Sequence, residues 1–384
     1  MQKYLAHWLR LAWLLGVVLF ATSAIADEEV VYQGKLGHND IVMALTFSES
    51  GIAGRYFYRQ YRKDLPLTGE WKKPGEVVLW EGVPESYKQT HVGQPMITLR
   101  ADGKTQWQGE WRNSKGKQYP IALSALPVTL PVGASAFKPS LFRLSSYEYL
   151  RQVHTELEIT KKETISGHEI EWFREPGSDI QTFQIVSGYS DEQRQRLNQI
   201  LQTMLWKNVI DYHKCMMVSQ YRGQAMSTLE IQLLSPAIMS ITDTASYICD
   251  SGHSVGVSPI AWRVSDGQPL ALSDILWVGE GEIPEQSQSG DSPYPDEVFS
   301  TWLVAQLSHY YPESMRVPVD ADNCDYSQPD IWSDRHWALT PKGILFYPMF
   351  STAEQACGIG ESWPVIPWEV VKQHPGRLKD IPLP

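Results

Sequence analysis

The sequence predicts two unlike parts. The first is an N-terminal antiparallel β meander curled into a barrel-like domain; the second is an α+β domain with helices on an antiparallel sheet. Three observations predict this. Short apolar–polar alternations fill residues 30–125, and no long window there has helical period. A stretch rich in Pro, Ser, Ala and Gly follows at 126–140. Beyond it, segments of period 3.6 are interleaved with segments of period 2.

Residues 1–26 read as a signal peptide. Lys3 and Arg10 precede an apolar run from Leu11 to Phe20, and Ala24-Ile-Ala26 makes a small-x-small cleavage site before Asp27. A spanning anchor needs about 20 apolar residues, so no membrane anchor is expected after cleavage, and the location is periplasmic or secreted. Cleavage removes two cations and no acid, taking the net charge from -11 to -13. Such a chain repels phosphate backbones and attracts basic partners, so nucleic acid is not an expected partner.

Residues 27–125 form the β-rich domain. Ile41, Met43, Leu45 and Phe47 alternate with Val42, Ala44 and Thr46, and strand segments recur at 55–58, 77–80, 96–99, 107–111 and 119–123. Evenly spaced short strands favour a meander or small barrel. Gly69-Glu-Trp71 and Gly109-Glu-Trp111 echo one another as repeated hairpins would. The 126–140 segment serves as a linker, and residues 141–384 form the α+β domain.

In that second domain, Ser190 and Gln193 have capping-box spacing ahead of Leu197, Ile200, Leu201, Met204 and Leu205, which predicts a helix to about His213. Alternation then returns from Leu229 through Tyr247, and Ser265-Asp-Gly267 makes a turn after Trp262 and Val264. The acidic, apolar-poor stretch 279–297 reads as a mobile insertion. Phe299, Trp302, Leu303, Leu307 and Tyr310 then mark a second amphipathic helix that stops at Pro312.

Export makes disulfides the default state of Cys215, Cys249, Cys324 and Cys357. Three connectivities are open. Pairing of sequence neighbours, Cys215 with Cys249 and Cys324 with Cys357, is the simplest. The alternative is a zinc site from His213, Cys215, Cys249 and His253, which needs both thiols reduced. Disulfides are the expectation, with no metal and no cofactor: the chain has no phosphate loop, dinucleotide fingerprint, His-Glu-x-x-His motif or Cys-x-x-Cys pair.

Gly252-His-Ser254-Val-Gly256 matches the G-x-S-x-G pattern of a nucleophile elbow, making Ser254 a candidate nucleophile. An elbow needs a helix directly after the serine. Val257-Ser-Pro259 and the alternation from Ile260 to Val264 provide none, so a Gly-flexed loop beside a disulfide is the better reading. Glu70, Glu81 and Glu110 each adjoin a tryptophan (Trp71, Trp80, Trp111), a pairing that suits glycosidases or sugar-binding faces. Strand alternation instead sends each Trp inward and its Glu to water. Arg55, Arg59, Arg62 and Lys63, around Tyr56, Tyr58 and Tyr61, read as a solvated basic strand face.

Tyr247-Ile-Cys-Asp-Ser-Gly-His-Ser-Val-Gly256, followed by Trp262-Arg-Val-Ser-Asp-Gly-Gln-Pro-Leu-Ala-Leu-Ser-Asp-Ile-Leu276, resembles an extracytoplasmic domain family. It is the family of the RsiV-type lysozyme-receptor anti-sigma factors and the PdaC-type deacetylases. Gly252 and His253 stand where that family has the Gly and His of its loop, and Asp266-Gly267 stands at its turn. Leu270, Leu272, Asp274 and Leu276 follow its final segment, and Val365-Ile-Pro-Trp-Glu-Val370 is similar to its last strand. The resemblance covers about half of the mature chain; Ser254 departs from the family's loop, and no anti-sigma segment is present. It implies an exported, non-enzymatic recognition protein whose partner is a basic, lysozyme-like protein, with His253, Gly252 and Asp274 as binding candidates. The alternative is a cell-envelope hydrolase or a glycan-binding protein, using Ser254 or the Trp-flanked carboxylates and taking cell-wall glycan as partner.

Overall fold

The structure, a computed structural model, describes residues 29–82, 93–249, 252–283, 296–318, 324–333, 336–351, 354, 357 and 362–384. The signal-peptide reading therefore lies outside the described residues, as does most of the acidic insertion. Strands β1 (Glu29–Leu36), β2 (Asn39–Ser48), β3 (Gly51–Tyr58), β4 (Asp64–Lys73), β5 (Glu76–Glu81), β6 (Met96–Asp102), β7 (Gln106–Arg112) and β8 (Gln118–Ser124) close into an antiparallel barrel. They follow one another in chain order, and β1 pairs with β8 to complete the ring. The β-rich reading of the N-terminal half is thus borne out, and closure leaves no open sheet edge there.

Alternate residues fill the barrel. Leu36, Ile41, Met43, Leu45, Tyr56, Leu67, Val77, Leu79, Ile97, Leu99, Ile121 and Leu123 form its buried interior. Gly69 and Gly109 occupy inward positions where the wall bends tightly. A Cβ on Gly109 would fall 1.8 Å from the Thr98 carbonyl oxygen, and one on Gly69 would fall 2.5 Å from that of Val78. That bend explains the repeated Gly-Glu-Trp. β4 and β7 run in opposite directions around the ring, so Trp71 and Trp111 end up at opposite mouths.

Helix α1 (Lys138–Leu144) begins inside the 126–140 linker reading, α2 (Ser146–Gln152) follows it, and both lie against the barrel's outer wall. Val42, Ala44 and Phe57 point outward there, beneath Phe137, Leu141, Tyr147 and Leu150. Coverage on both sides explains why β2 is apolar at successive positions.

Strands β9 (Glu158–Ile165), β10 (His168–Arg174) and β11 (Gln181–Ile185) form an antiparallel sheet. Helix α3 (Asp191–Val218) crosses it, capped by the expected box: Ser190 Oγ accepts from the Gln193 N–H and Gln193 Oε1 accepts from the Ser190 N–H. It runs five residues beyond the expected end at His213, because its last turn carries Cys215 into a disulfide.

Strands β12 (Gln224–Leu234), β13 (Ile238–Ile248) and β14 (His253–Arg263) make a long antiparallel ribbon. Both faces of its proximal half are covered. Met239 and Ile241 pack on the α3 side. Ser240 and Thr242 face the other way: Ser240 Oγ accepts from the Leu339 N–H at 3.0 Å, and Thr242 Oγ1 lies 2.9 Å from the Tyr347 hydroxyl. Beyond the ribbon come the single turn α4 (Leu272–Ile275), helix α5 (Asp296–Tyr310), strands β15 (His336–Thr340), β16 (Gly343–Tyr347) and β17 (Val365–Pro367), and helix α6 (Trp368–Gln373). Phe299, Leu303 and Leu307 of α5 pack with Leu339, Ile344, Phe346 and Ile366 in the largest core. The expected α+β character of the C-terminal half is present, with helices against small antiparallel sheets.

Candidate functional site

The distal half of the ribbon emerges from that cover. Gln224, Met226, Thr228 and Glu230 are exposed along β12, and Met226 is 68% accessible. β12 pairs with β13 on one side only, and no backbone hydrogen bond from another described segment reaches its outer edge. Cys215 and Cys249 form a disulfide with Cα atoms 4.8 Å apart, tying the β13 end to the last turn of α3. Cys324 and Cys357 form a second, and no free cysteine remains. Both neighbour pairings are therefore observed, and oxidation of Cys215 and Cys249 removes the zinc alternative. Among the described residues no His/Cys/Asp/Glu group could hold a metal ion. Two disulfides fit an oxidising, extracytoplasmic environment, and no described helix is long and apolar enough to cross a membrane.

Beside the open edge lies a cavity of about 620 Å³, lined by residues 223–228 of the edge together with Gly177, Ser178, Asp179, Tyr212 and Met216. Its surroundings are acidic. Burial raises the Tyr212 hydroxyl above its ordinary value, and Glu175 and Asp179 raise it further. Burial acts likewise on Tyr247, reinforced by Asp211 and Asp243. Asp243 is held by Ser227 Oγ at 2.7 Å and Asn208 Nδ2 at 2.5 Å, neither of which neutralises it. Two nearby cations are engaged, Arg174 with Glu158 and Asp179 and Lys214 with Asp211, while the exposed Arg222 beside Gly223 bonds the neutral Gln220. An open strand edge, a groove alongside and a negative field are the ingredients of strand addition by a basic polypeptide.

The residues singled out from sequence are dispersed. Gly252 is exposed, and a Cβ there would meet open space. The backbone of His253 pairs with Ile248 at the start of β14; its side chain lies outside the described residues. Ser254 is exposed, pairs with Tyr247, and sits in a strand that runs on to Arg263, so no helix N-terminus follows it. Among the described residues it bonds no acid and no histidine. Asp274 lies past the far end of β14, which spans about 33 Å at 3.3 Å per residue. It accepts from the Ala271 N–H at 2.9 Å and from Arg377 Nε at 3.0 Å, fastening the C-terminal tail. The edge of β12 and its groove went unmarked in the sequence reading; the signal was Met226 among polar neighbours in the alternating run 224–230.

The Trp-flanked carboxylates divide. Glu70 and Glu110 point outward as expected, but Trp80 and Glu81 reverse the expectation: Leu79 and Glu81 face inward and Trp80 outward, because the barrel's alternation places residue 81 inside. The basic strand face is corrected only in part. Arg55 pairs with Glu29 at 2.8 Å and stacks 4.5 Å from the Tyr147 ring; Arg62 bonds Thr155; Lys63 lies 5.0 Å from the Tyr221 ring. Arg55 is half-buried against α2, whereas Arg62 and Lys63, in the turn between β3 and β4, are exposed as expected.

No protein-family model matches the chain, and no curated protein matches it significantly.

Proposed function

We propose that the chain is an exported, non-enzymatic recognition protein of the cell envelope that binds a basic protein, lysozyme-like in charge, along the outer edge of β12. The observation that carries this reading is the β12 edge that no described segment pairs, flanked by a groove of about 620 Å³ in acidic surroundings. The net charge of -11, or -13 after leader removal, supports electrostatic capture of a basic partner. The resemblance of Tyr247–Leu276 to the RsiV-type domains supports it independently. Among the described residues, the setting of Ser254 offers a hydrolase neither an elbow nor a base.

Biolayer interferometry of the purified protein tests it, with lysozyme and a charge-matched basic control at low and moderate salt. Saturable binding of lysozyme alone that survives moderate salt, and weakens at least tenfold in Met226→Lys, is expected. Equal binding of both proteins that vanishes with salt would reduce the effect to bulk charge and sink the proposal.

A second reading, glycan binding, is favoured by Trp71, which is 46% exposed at one barrel mouth with its ring 5.4 Å from Phe47 and 6.3 Å from Trp107. Exposed tryptophan faces suit the apolar sides of sugars. A glycan array in which Trp71→Ala abolishes a specific signal would establish it.

A further inference from the structure

The two barrel mouths differ in chemistry. The mouth with Trp71 is closed by Phe47 and Trp107. At the opposite one, strand alternation turns the last residue of β5, Glu81, toward the interior. The Tyr56 hydroxyl and the Trp111 indole N–H both donate to Glu81 Oε1. No hydrogen bond among the described residues reaches Oε2, and no described lysine, arginine or histidine pairs with the carboxylate. Burial raises the Glu81 carboxyl above its ordinary value while those two hydrogen bonds hold it down. A carboxylate withdrawn from water without a counterion is costly, and the cost falls when a cation is supplied.

Aromatic rings lead from solvent to this group. Tyr61 is 65% exposed and meets Tyr58 edge-on at 6.3 Å; Tyr58 meets Tyr56 at 5.6 Å; on the other flank Trp111 and Tyr119 lie 5.9 Å apart. Tyr58, Trp111, Tyr119 and Glu81 are all half-buried, so the group stands at the surface of the barrel end rather than sealed within it. Ring faces carry negative potential and attract cations. The Tyr119 ring already does so, with Lys117 Nζ 4.9 Å from its centroid.

We propose that this barrel mouth is a binding site for a small organic ammonium, with its N–H groups on Glu81 Oε2 and its alkyl part against Tyr58, Trp111 and Tyr119. The free acceptor favours a primary ammonium over a quaternary one, and a neutral alcohol of the same shape leaves the carboxylate uncompensated. The site is independent of the β12 edge.

The test is a calorimetric titration of the purified protein with n-butylammonium, with tetramethylammonium and n-butanol as comparison ligands. Saturable binding of n-butylammonium, at least tenfold tighter than tetramethylammonium and with no measurable binding of n-butanol, is expected. Glu81→Gln keeps the size and the acceptor for Tyr56 and Trp111 and should lose at least tenfold in affinity. A second readout covers misfolding of that variant: n-butylammonium should raise the wild-type melting temperature and n-butanol at equal concentration should not. Equal behaviour of amine and alcohol, absence of amine binding by the wild type, or undiminished binding by a folded Glu81→Gln variant would each overturn the proposal.

Discussion

Arg151 of α2 and Asp64 of β4 stand 87 positions apart and form an ion pair at 2.5 Å with neither side chain more than 2% exposed. Glu148 also holds Arg151, with Nε 2.7 Å from Oε2, the Arg62 carbonyl takes Nη1 at 2.5 Å, and the Tyr147 hydroxyl donates to Asp64 at 2.6 Å. Burial works against the guanidinium's charge, but Glu148, Asp64 and Tyr147 outweigh it and keep the group protonated. This network joins the barrel to the helices packed on its wall.

Removing one member strands the others. Arg151→Met leaves Asp64 buried without a cation and Glu148 with only Arg55 at 4.0 Å, and should cost about 3–5 kcal/mol. Guanidinium unfolding followed by near-UV circular dichroism measures it. A loss below about 1 kcal/mol would mean that water enters the junction and screens it.

His213 lies beside this network, and its ionisation is suppressed to about pH 3, first by burial and then by Arg151, with Asp64 opposing. Its Nε2 has no described hydrogen-bond partner. The imidazole stays neutral in the folded chain, while the unfolded chain takes up a proton below its ordinary value of 6.5. Since the unfolded state binds more protons in that window, stability falls as pH drops from 6.5 toward 3, by up to about 1.4 kcal/mol per pH unit. His213→Leu should flatten the stability profile between pH 6.5 and 5. An unchanged slope would assign the acid sensitivity to other groups.

The barrel bend gives a contrast between two glycines. Gly109→Ala forces a methyl to within 1.8 Å of the Thr98 carbonyl, so the wall must shift, at about 1–3 kcal/mol or more. Gly252→Ala meets open space and should change stability by less than about 0.5 kcal/mol. Thermal melts of the two variants side by side read the difference, and equal shifts would refute the close approach at Gly109.

The Cys215–Cys249 bridge closes a loop with a sequence separation of 34. Replacing both cysteines by alanine should lower stability by about 3–4 kcal/mol through greater freedom of the unfolded chain. Denaturant midpoints compare the variants. If the bridge also steadies the β12 edge, the lysozyme binding proposed above should weaken in the same variant under conditions where the rest stays folded.

Much of this architecture could be read from residue order. Period-2 alternation marked most barrel strands, and the Ser190–Gln193 box marked the start of α3. These signals report on neighbours in the chain, and pairing of neighbouring cysteines was the simplest of three open connectivities, which the structure then chose. Legibility ended where contacts join distant segments. Arg55 read as solvated because nothing local reveals that α2 covers its wall. Glu81 read as outward because strand phase at residue 81 depends on how β5 enters the closed ring. The edge of β12 could not be found by alternation, which describes both edges of a strand alike. A β-rich first half, an α+β second half, four cysteines expected as disulfides and the acidic charge were all legible in residue order, since propensity, periodicity and composition act locally or in sum. Long-range contacts settled the rest: the barrel closes, Asp64 and Arg151 meet, Cys215 pairs with Cys249, Glu81 lies inward without a described cation, and no described segment pairs the outer edge of β12. Those outcomes depend on which surfaces are left uncovered after every long-range contact has formed.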